Sequence, residues 1–243
     1  MPTPELTTIA PAAGRSRAVV LMLHGGRDRS DDPVLRRHAS WWRMALLQRR
    51  LATHANSAGV AVELLRYAVR GWNGTPGREP APVRDGRWAL ERIEERYGPV
   101  PVVLVGHSMG GRAVCALAGE AGVRGVVALA PWLPEDEPVL APPGQRLVMA
   151  HGLMDRWTSP RGSRRWAERA RSAGVRIARF ELPMVGHFML GSGREWNALV
   201  RRASLGLLGL EPLPAPVEQA YTVTGGAAAD GLALPIATLD QPS

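Results

Sequence analysis

Two hydrophobic rhythms alternate along this chain. Near-continuous apolar runs occur at Ala18 to His24, Val60 to Tyr67, Val100 to Val105, Gly125 to Ala130, Arg146 to His151 and Arg176 to Leu182. Such runs suit parallel strands covered on both faces, since a solvated face would show polar alternation. Between them, apolar residues recur at helical spacing over Val34 to Asn56, Asp85 to Tyr97, Met109 to Glu120, Pro160 to Ala173 and Glu195 to Leu208. Ser57-Ala58-Gly59, Gly98-Pro99 and Gly174 punctuate three of these segments where a helix needs a stop. Repeated strand–helix–strand units imply right-handed crossovers. The predicted fold is therefore α/β, a doubly wound, mostly parallel sheet with helices on both faces. Glu5 to Ala10 reads as an extra edge strand. From Pro212 onward Pro, Ala and Gly dominate and the periodicity is lost. A domain over 1–210 and an extended or disordered tail over 211–243 are expected, with Tyr221 to Thr224 as a short strand at most.

In sheets of this kind ligands bind beyond the carboxyl ends of the strands. One such end carries Gly106-His107-Ser108-Met109-Gly110, a G-x-S-x-G motif between the apolar run at 102–105 and a helical pattern. A side chain at 106 or 110 would collide with backbone in so sharp a turn, and the serine hydroxyl stands out above the sheet. A serine hydroxyl needs a base within hydrogen-bond reach and a third group to orient that base. Two further strand ends offer both. Asp155 lies 47 residues after Ser108, and His187 lies 32 residues after Asp155. Another reading has Asp155 capping the helix near Pro160 or binding Arg156, with Asp136 or Glu135 as the acid instead. His24-Gly25-Gly26 ends a fourth strand. A backbone N–H there, paired with that of Met109, would cradle a developing oxyanion.

These motifs, in this order, resemble the α/β-hydrolase fold family of serine hydrolases, over roughly Ala18 to Leu210. The resemblance implies Ser108 as nucleophile, His187 as general base and then acid, and Asp155 as the orienting carboxylate. It implies Gly26 and Met109 as oxyanion donors, with Arg27 a second candidate for the first, because members differ by one position there. Many members carry a helical cap in the gap spanned here by Pro131 to Gln145, which is too short to hold one. A cap-less chain resembles small carboxylesterases and dienelactone-hydrolase-like enzymes, although serine stands where the latter carry cysteine. The activity implied is hydrolysis of a carboxylic ester or thioester. The rivals are acyl transfer or perhydrolysis on the same residues, and a non-catalytic binding protein that keeps the fold.

The remaining walls of an open site would come from Arg27 to Pro33, Arg70 to Pro82 and Pro131-Trp132-Leu133. Arg27, Trp72, Trp132 and Trp157 are candidate substrate contacts, with simple packing as the alternative for Trp132. Arg27, Arg29 and Arg156 flank the site; their charge suits an anionic substrate, set against exposed arginines being common in this chain. Trp41-Trp42 reads as a helix packing face. His24, His107 and His151 read as structural residues that hold loop backbone, and Cys115 as an inert core thiol.

Composition removes several other classes. The chain has 243 residues, 45% of them apolar, enough for one sizeable core. The net charge is +8 and all 30 basic residues are arginines. They are scattered among acids on helical segments, which reads as solvated surface rather than a nucleic-acid footprint. Histidine spacing suits no metal, no phosphate loop or nucleotide fingerprint appears, and no cofactor is expected. Met1 to Ser16 lacks the pattern of a secretion signal, and no apolar run approaches the roughly 20 residues of a membrane span. With a single cysteine, these features make the expected protein a cytoplasmic enzyme acting on a small-molecule ester, with neither membrane nor nucleic acid as partner and its oligomeric state open.

Overall fold

The computed structural model describes residues 2–12, 15–75, 77–188, 193–223 and 231–240. Among these residues eight strands form one sheet: β1 (Glu5–Ile9), β2 (Ala18–Leu23), β3 (Val60–Arg66), β4 (Val102–His107), β5 (Val123–Leu129), β6 (Arg146–Gly152), β7 (Arg176–Leu182) and β8 (Leu234–Pro235). Their spatial order is β1-β3-β2-β4-β5-β6-β7-β8. Only β1 runs antiparallel, as an edge strand against β3; every other pairing is parallel. The central strands are buried along their whole length, which is why they read as unbroken apolar runs.

Among the described residues six helices cover the sheet: α1 (Ala39–Ala55), α2 (Ala81–Tyr97), α3 (Met109–Ala116), α4 (Pro160–Ser172), α5 (Gly193–Leu207) and α6 (Ala215–Thr222). α1 packs with α5 and α2 packs with α3, and both pairs cover the middle strands. On α1 the buried stripe is Trp41, Met44, Ala45, Gln48, Leu51, Ala52 and Ala55, a helical period of three and four. Trp41 is buried and Trp42 is 57% exposed. Adjacent helical residues point about 100° apart, so the tandem tryptophans do not share the packing face expected of them. The helix also starts five residues later than predicted, because Val34 bonds back to Ala68 instead.

No helix occupies the segment between β5 and β6, so the cap is absent as its length requires. Strand order reverses between β2 and β4, and that switch point opens the sheet at their carboxyl ends. Among the described residues, no helix is long and apolar enough to cross a membrane.

The expected extended tail is a correction. Residues 215–222 form α6, which packs on β7, and Leu234–Pro235 extends the sheet beside β7. Prolines 214 and 216 hid the helix from pattern reading, although proline in a first turn is well tolerated. Tertiary contacts supply what periodicity lacked. Leu213, Val217, Ala220, Leu232 and Leu239 are buried, and Tyr221 Oη donates to Leu147 O at 3.1 Å. The buried Arg179 donates to Leu232 O at 2.9 Å. Tyr221–Val223 continue or follow the helix rather than forming a strand, and Thr224 lies outside the described residues. Deleting residues 212–243 is expected to lower the thermal midpoint by at least about 10 °C, because it removes five buried apolar side chains from the core. Thermal unfolding followed by circular dichroism checks this; an unchanged midpoint would mean the segment contributes nothing to the core.

Candidate active site

The turn at the end of β4 is strained at one residue. Ser108 has φ 57° and ψ −118°, a region that L-residues rarely enter. Its N–H donates to Leu129 O at 3.0 Å, and its C=O accepts from Arg112 N and Trp132 N, both at 3.1 Å. These bonds, with α3 starting at the next residue, hold the conformation. A Cβ on Gly106 would overlap the Gly110 carbonyl, and one on Gly110 would overlap the carbonyls of Leu23 and His24. Both outer positions of the motif therefore need glycine.

Ser108 Oγ lies 3.0 Å from His187 Nε2, and His187 Nδ1 lies 2.8 Å from Asp155 Oδ2. The carboxylate can only accept, so Nδ1 carries the proton and Nε2 turns its lone pair to the hydroxyl. Asp155 is held by more than the imidazole. Trp157 N and Thr158 N donate to Oδ1 at 2.8 and 2.9 Å; Thr158 Oγ1 donates to Oδ2 at 2.8 Å. His151 Nε2 donates to Oδ2 at 3.2 Å. Burial by itself would raise the Asp155 carboxyl, but the hydrogen bonds from His151, His187 and Thr158 outweigh it and hold the group far below the usual carboxylate range. Glu135 faces Arg165 at 3.6 Å and Asp136 is exposed, so neither alternative acid reaches His187.

Three buried histidines shape the loops around this chain of bonds. His107 Nε2 donates to His187 O at 2.9 Å. His24 Nδ1 donates to Gly25 O at 2.7 Å, and Tyr67 N donates to His24 Nε2 at 3.5 Å. In a trans peptide, fixing the Gly25 carbonyl also fixes the opposed Gly26 N–H. That N–H has no acceptor among the described residues, and Met109 opens α3, so its N–H has none within the helix. Arg27 is excluded as the alternative donor, because its N–H is spent on Arg70 O at 2.8 Å. A Cβ on Gly26 would strike the Arg70 carbonyl and the Met109 thioether.

A cleft of about 450 Å³ opens over Ser108 and His187. Trp132, Trp157 and Phe188 form its apolar walls, with Arg27 and Arg43 beside them. Trp157 is 74% exposed and stacks near-parallel to His187 at 6.4 Å between ring centres. Arg27, Trp132 and Trp157 line this cleft. Trp72 does not. It is buried against the Arg112 guanidinium, 4.0 Å from the ring centre, with Trp132 at 4.7 Å on the same cation. Arg112 in turn pairs with Glu137 at 2.6 Å, so Trp72 braces two loops instead of touching the cleft. Arg29 and Arg156 lie outside the cleft lining. Sequence reading passed over Thr158, Phe188 and Arg43. Thr158 had a local signal, a hydroxyl three residues after a loop aspartate; Arg43 is one of many helix arginines and had none. Among the described residues no cluster suits a metal ion. Burial pushes the Cys115 thiol well above its usual range, as expected of an unreactive core cysteine.

The buried histidines make stability depend on pH. Burial lowers His107 to about 3 and His24 to about 4, from an ordinary 6.5. Both are neutral in the fold, so the unfolded chain binds more protons below 6.5 and stability rises with pH there. The loss on acidification begins below 6.5 and is complete once pH falls through about 3 for His107. Each contributes up to about 1.4 kcal/mol per pH unit in that window. Thermal midpoints are expected to drop between pH 7 and pH 5, and His107→Gln to show a shallower drop than the parent; equal slopes would refute this account.

Comparison with known proteins agrees with this architecture. A sequence profile of the alpha/beta hydrolase family matches residues 20–240. No curated protein sequence matches the chain. Its fold is similar to a serine hydrolase without lid from Xanthomonas campestris (TM-score 0.59, 16% identity, covering 83% of this chain and 89% of that one). It is also similar to an alpha-beta serine hydrolase homologue from Coxiella burnetii (0.58, 16%, 82% and 91%). Est1E from Butyrivibrio proteoclasticus is comparable (0.58, 12%, 85% and 95%). The sheet order, the Ser108 turn and the match over most of its length establish that the chain belongs to the alpha/beta hydrolase family.

Proposed function

We propose that this protein is a serine hydrolase that cleaves a carboxylic ester or thioester through an acyl-enzyme. One observation carries the reading. A hydroxyl, an imidazole and a carboxylate hydrogen-bond in series, at 3.0 and 2.8 Å, below a cleft edged by unused N–H groups. Names such as Est1E, given to a protein of similar fold, are consistent with it.

In the proposed reaction the Ser108 hydroxyl proton passes to His187 Nε2 as Oγ attacks the substrate carbonyl carbon. The carbonyl oxygen becomes an oxyanion and takes hydrogen bonds from the N–H groups of Gly26 and Met109. The tetrahedral adduct collapses. The bond to the alkoxide or thiolate breaks, and His187 returns the proton to that leaving group, freeing an alcohol or thiol. Water enters the open cleft and gives a proton to His187 as it attacks the acyl carbon. A second collapse releases the acid and restores Oγ–H. Asp155 stays ionised throughout. Its five hydrogen bonds keep it in place as the imidazolium forms, so little reorganisation accompanies charge development.

A fluorophosphonate probe is expected to label Ser108 in folded protein, with mass spectrometry locating the adduct. Ser108→Ala is expected to lose both labelling and 4-nitrophenyl ester cleavage. A folded parent that resists the probe and cleaves no ester would favour a binding protein that keeps the fold. Products formed with added alcohol or peroxide separate hydrolysis from acyl transfer. For the oxyanion site, Gly26→Ala is expected to lower kcat on the order of 100- to 1000-fold, because its Cβ would strike the Arg70 carbonyl and push the Gly26 N–H out of place. Steady-state kinetics checks this, and kcat within a few-fold of the parent would remove Gly26 from the mechanism.

A further inference from the structure

We infer that Arg43 is an anion-binding residue of the cleft, and that the substrates taken best are esters or thioesters bearing a carboxylate. The inference rests on the serine hydrolase reading and adds a substrate class to it.

Arg43 lies on α1, on the face it shares with Ala39 and Ser40, and all three border the cleft over Ser108. Its guanidinium sits 4.9 Å over the Phe188 ring. The side chain is half-buried, and burial lowers its affinity for a proton. Among the described residues no carboxylate comes within ion-pair range of it, and no acceptor hydrogen-bonds it. Two other arginines withdrawn from solvent make a direct contrast. Arg112 pairs with Glu137 and Arg179 with Glu181, each at 2.6 Å. Arg43 keeps its charge whatever its surroundings. A desolvated charge without a counter-ion is costly, and a cation–π contact does not replace one.

The guanidinium carbon lies over the Phe188 ring, and its N–H donors stay available to a planar partner. That fork matches a carboxylate with two parallel hydrogen bonds. Arg27, exposed on the same cleft, adds a second positive charge. Asp28 also borders the cleft, but it is exposed and outside pairing distance of Arg43. Arg29 and Arg156, flanking the site in sequence, are not in the cleft, so the anion preference is assigned to a helix residue that motif reading does not reach.

Two matched pairs of esters test this. Mono-4-nitrophenyl adipate and its methyl ester place the carboxylate on the acyl side. 4-Acetoxybenzoate and methyl 4-acetoxybenzoate place it on the leaving group. In one pair the parent enzyme is expected to favour the charged member at least about tenfold in kcat/KM, as one charge-assisted pair allows. Arg43→Gln is expected to reduce that ratio about tenfold, chiefly through KM, and Arg43→Lys to reduce it less. A ratio near one in both pairs for the parent, or an unchanged ratio in Arg43→Gln, overturns the proposal. Calorimetric titration of adipate and 4-hydroxybenzoate into Ser108→Ala gives a readout independent of turnover, and of the folding of Arg43→Gln. One of the two is expected to bind, more weakly as salt rises, and binding of neither overturns the proposal. If the parent resists the fluorophosphonate and cleaves neither neutral ester, the hydrolase reading fails while this titration still reports on Arg43.

Discussion

One residue held in an unfavourable backbone conformation organises the molecule. Ser108 at φ 57° stands where β4 must turn at once into α3. Such a conformation costs of order 1–3 kcal/mol and survives only where the surroundings leave no alternative. Here the Ser108 amide is bound to β5, its carbonyl holds α3 and the loop of Trp132, and glycine at 106 and 110 lets three backbone segments touch. The parallel sheet explains why this arrangement is available. Neighbouring strands end at the same edge, so the turn after β4 meets the loops after β2, β5, β6 and β7 without any long excursion of chain.

Around that turn, hydrogen bonds to backbone do much of the positioning. Asp155 is fixed by two amides and a hydroxyl from the three residues after it, as well as by two imidazoles. His107 grips the carbonyl of residue 187, and His24 grips the carbonyl before Gly26. Both rings are neutral in the fold because burial disfavours their charged forms. The residues of the proposed site are thus oriented by buried neighbours. The same buried rings that hold the site tie its stability to pH.

The arginines divide by burial. Those on the surface pair loosely with acids on neighbouring turns, as their scattered distribution suggests. Arg179 is buried and Arg112 half-buried, and each has a carboxylate and structural work: Arg112 braces the loops of Trp72 and Trp132, and Arg179 fastens the carboxyl-terminal segment to β7. Arg43 falls in neither group. It is the half-buried cation of the cleft, with an aromatic ring beneath it and room for an anion above.

The six central strands were legible because a buried parallel strand must be apolar throughout, and five of the helices because each buries one stripe. Ser108, Asp155 and His187 were legible for a related reason: the sharp turn demands glycines at fixed offsets, and the acid and base must follow strands that end at the same edge. The turn and the strand patterns are local signals, so the amino-acid sequence by itself determined the fold class and the candidate residues, while the choice of Asp155 over Asp136 or Glu135 waited on distances in the fold. Other features depend on atoms far apart in the chain. Whether Arg27 or Gly26 keeps a free N–H was decided by the Arg70 carbonyl, and Trp72 left the cleft because Arg112 lay beneath it. Residues 215–222 became helical because β7 offered an apolar face and an open edge to a segment with little pattern of its own. Pairing, burial and the lack of a partner are properties of neighbours in space, and only the tertiary structure supplies those neighbours.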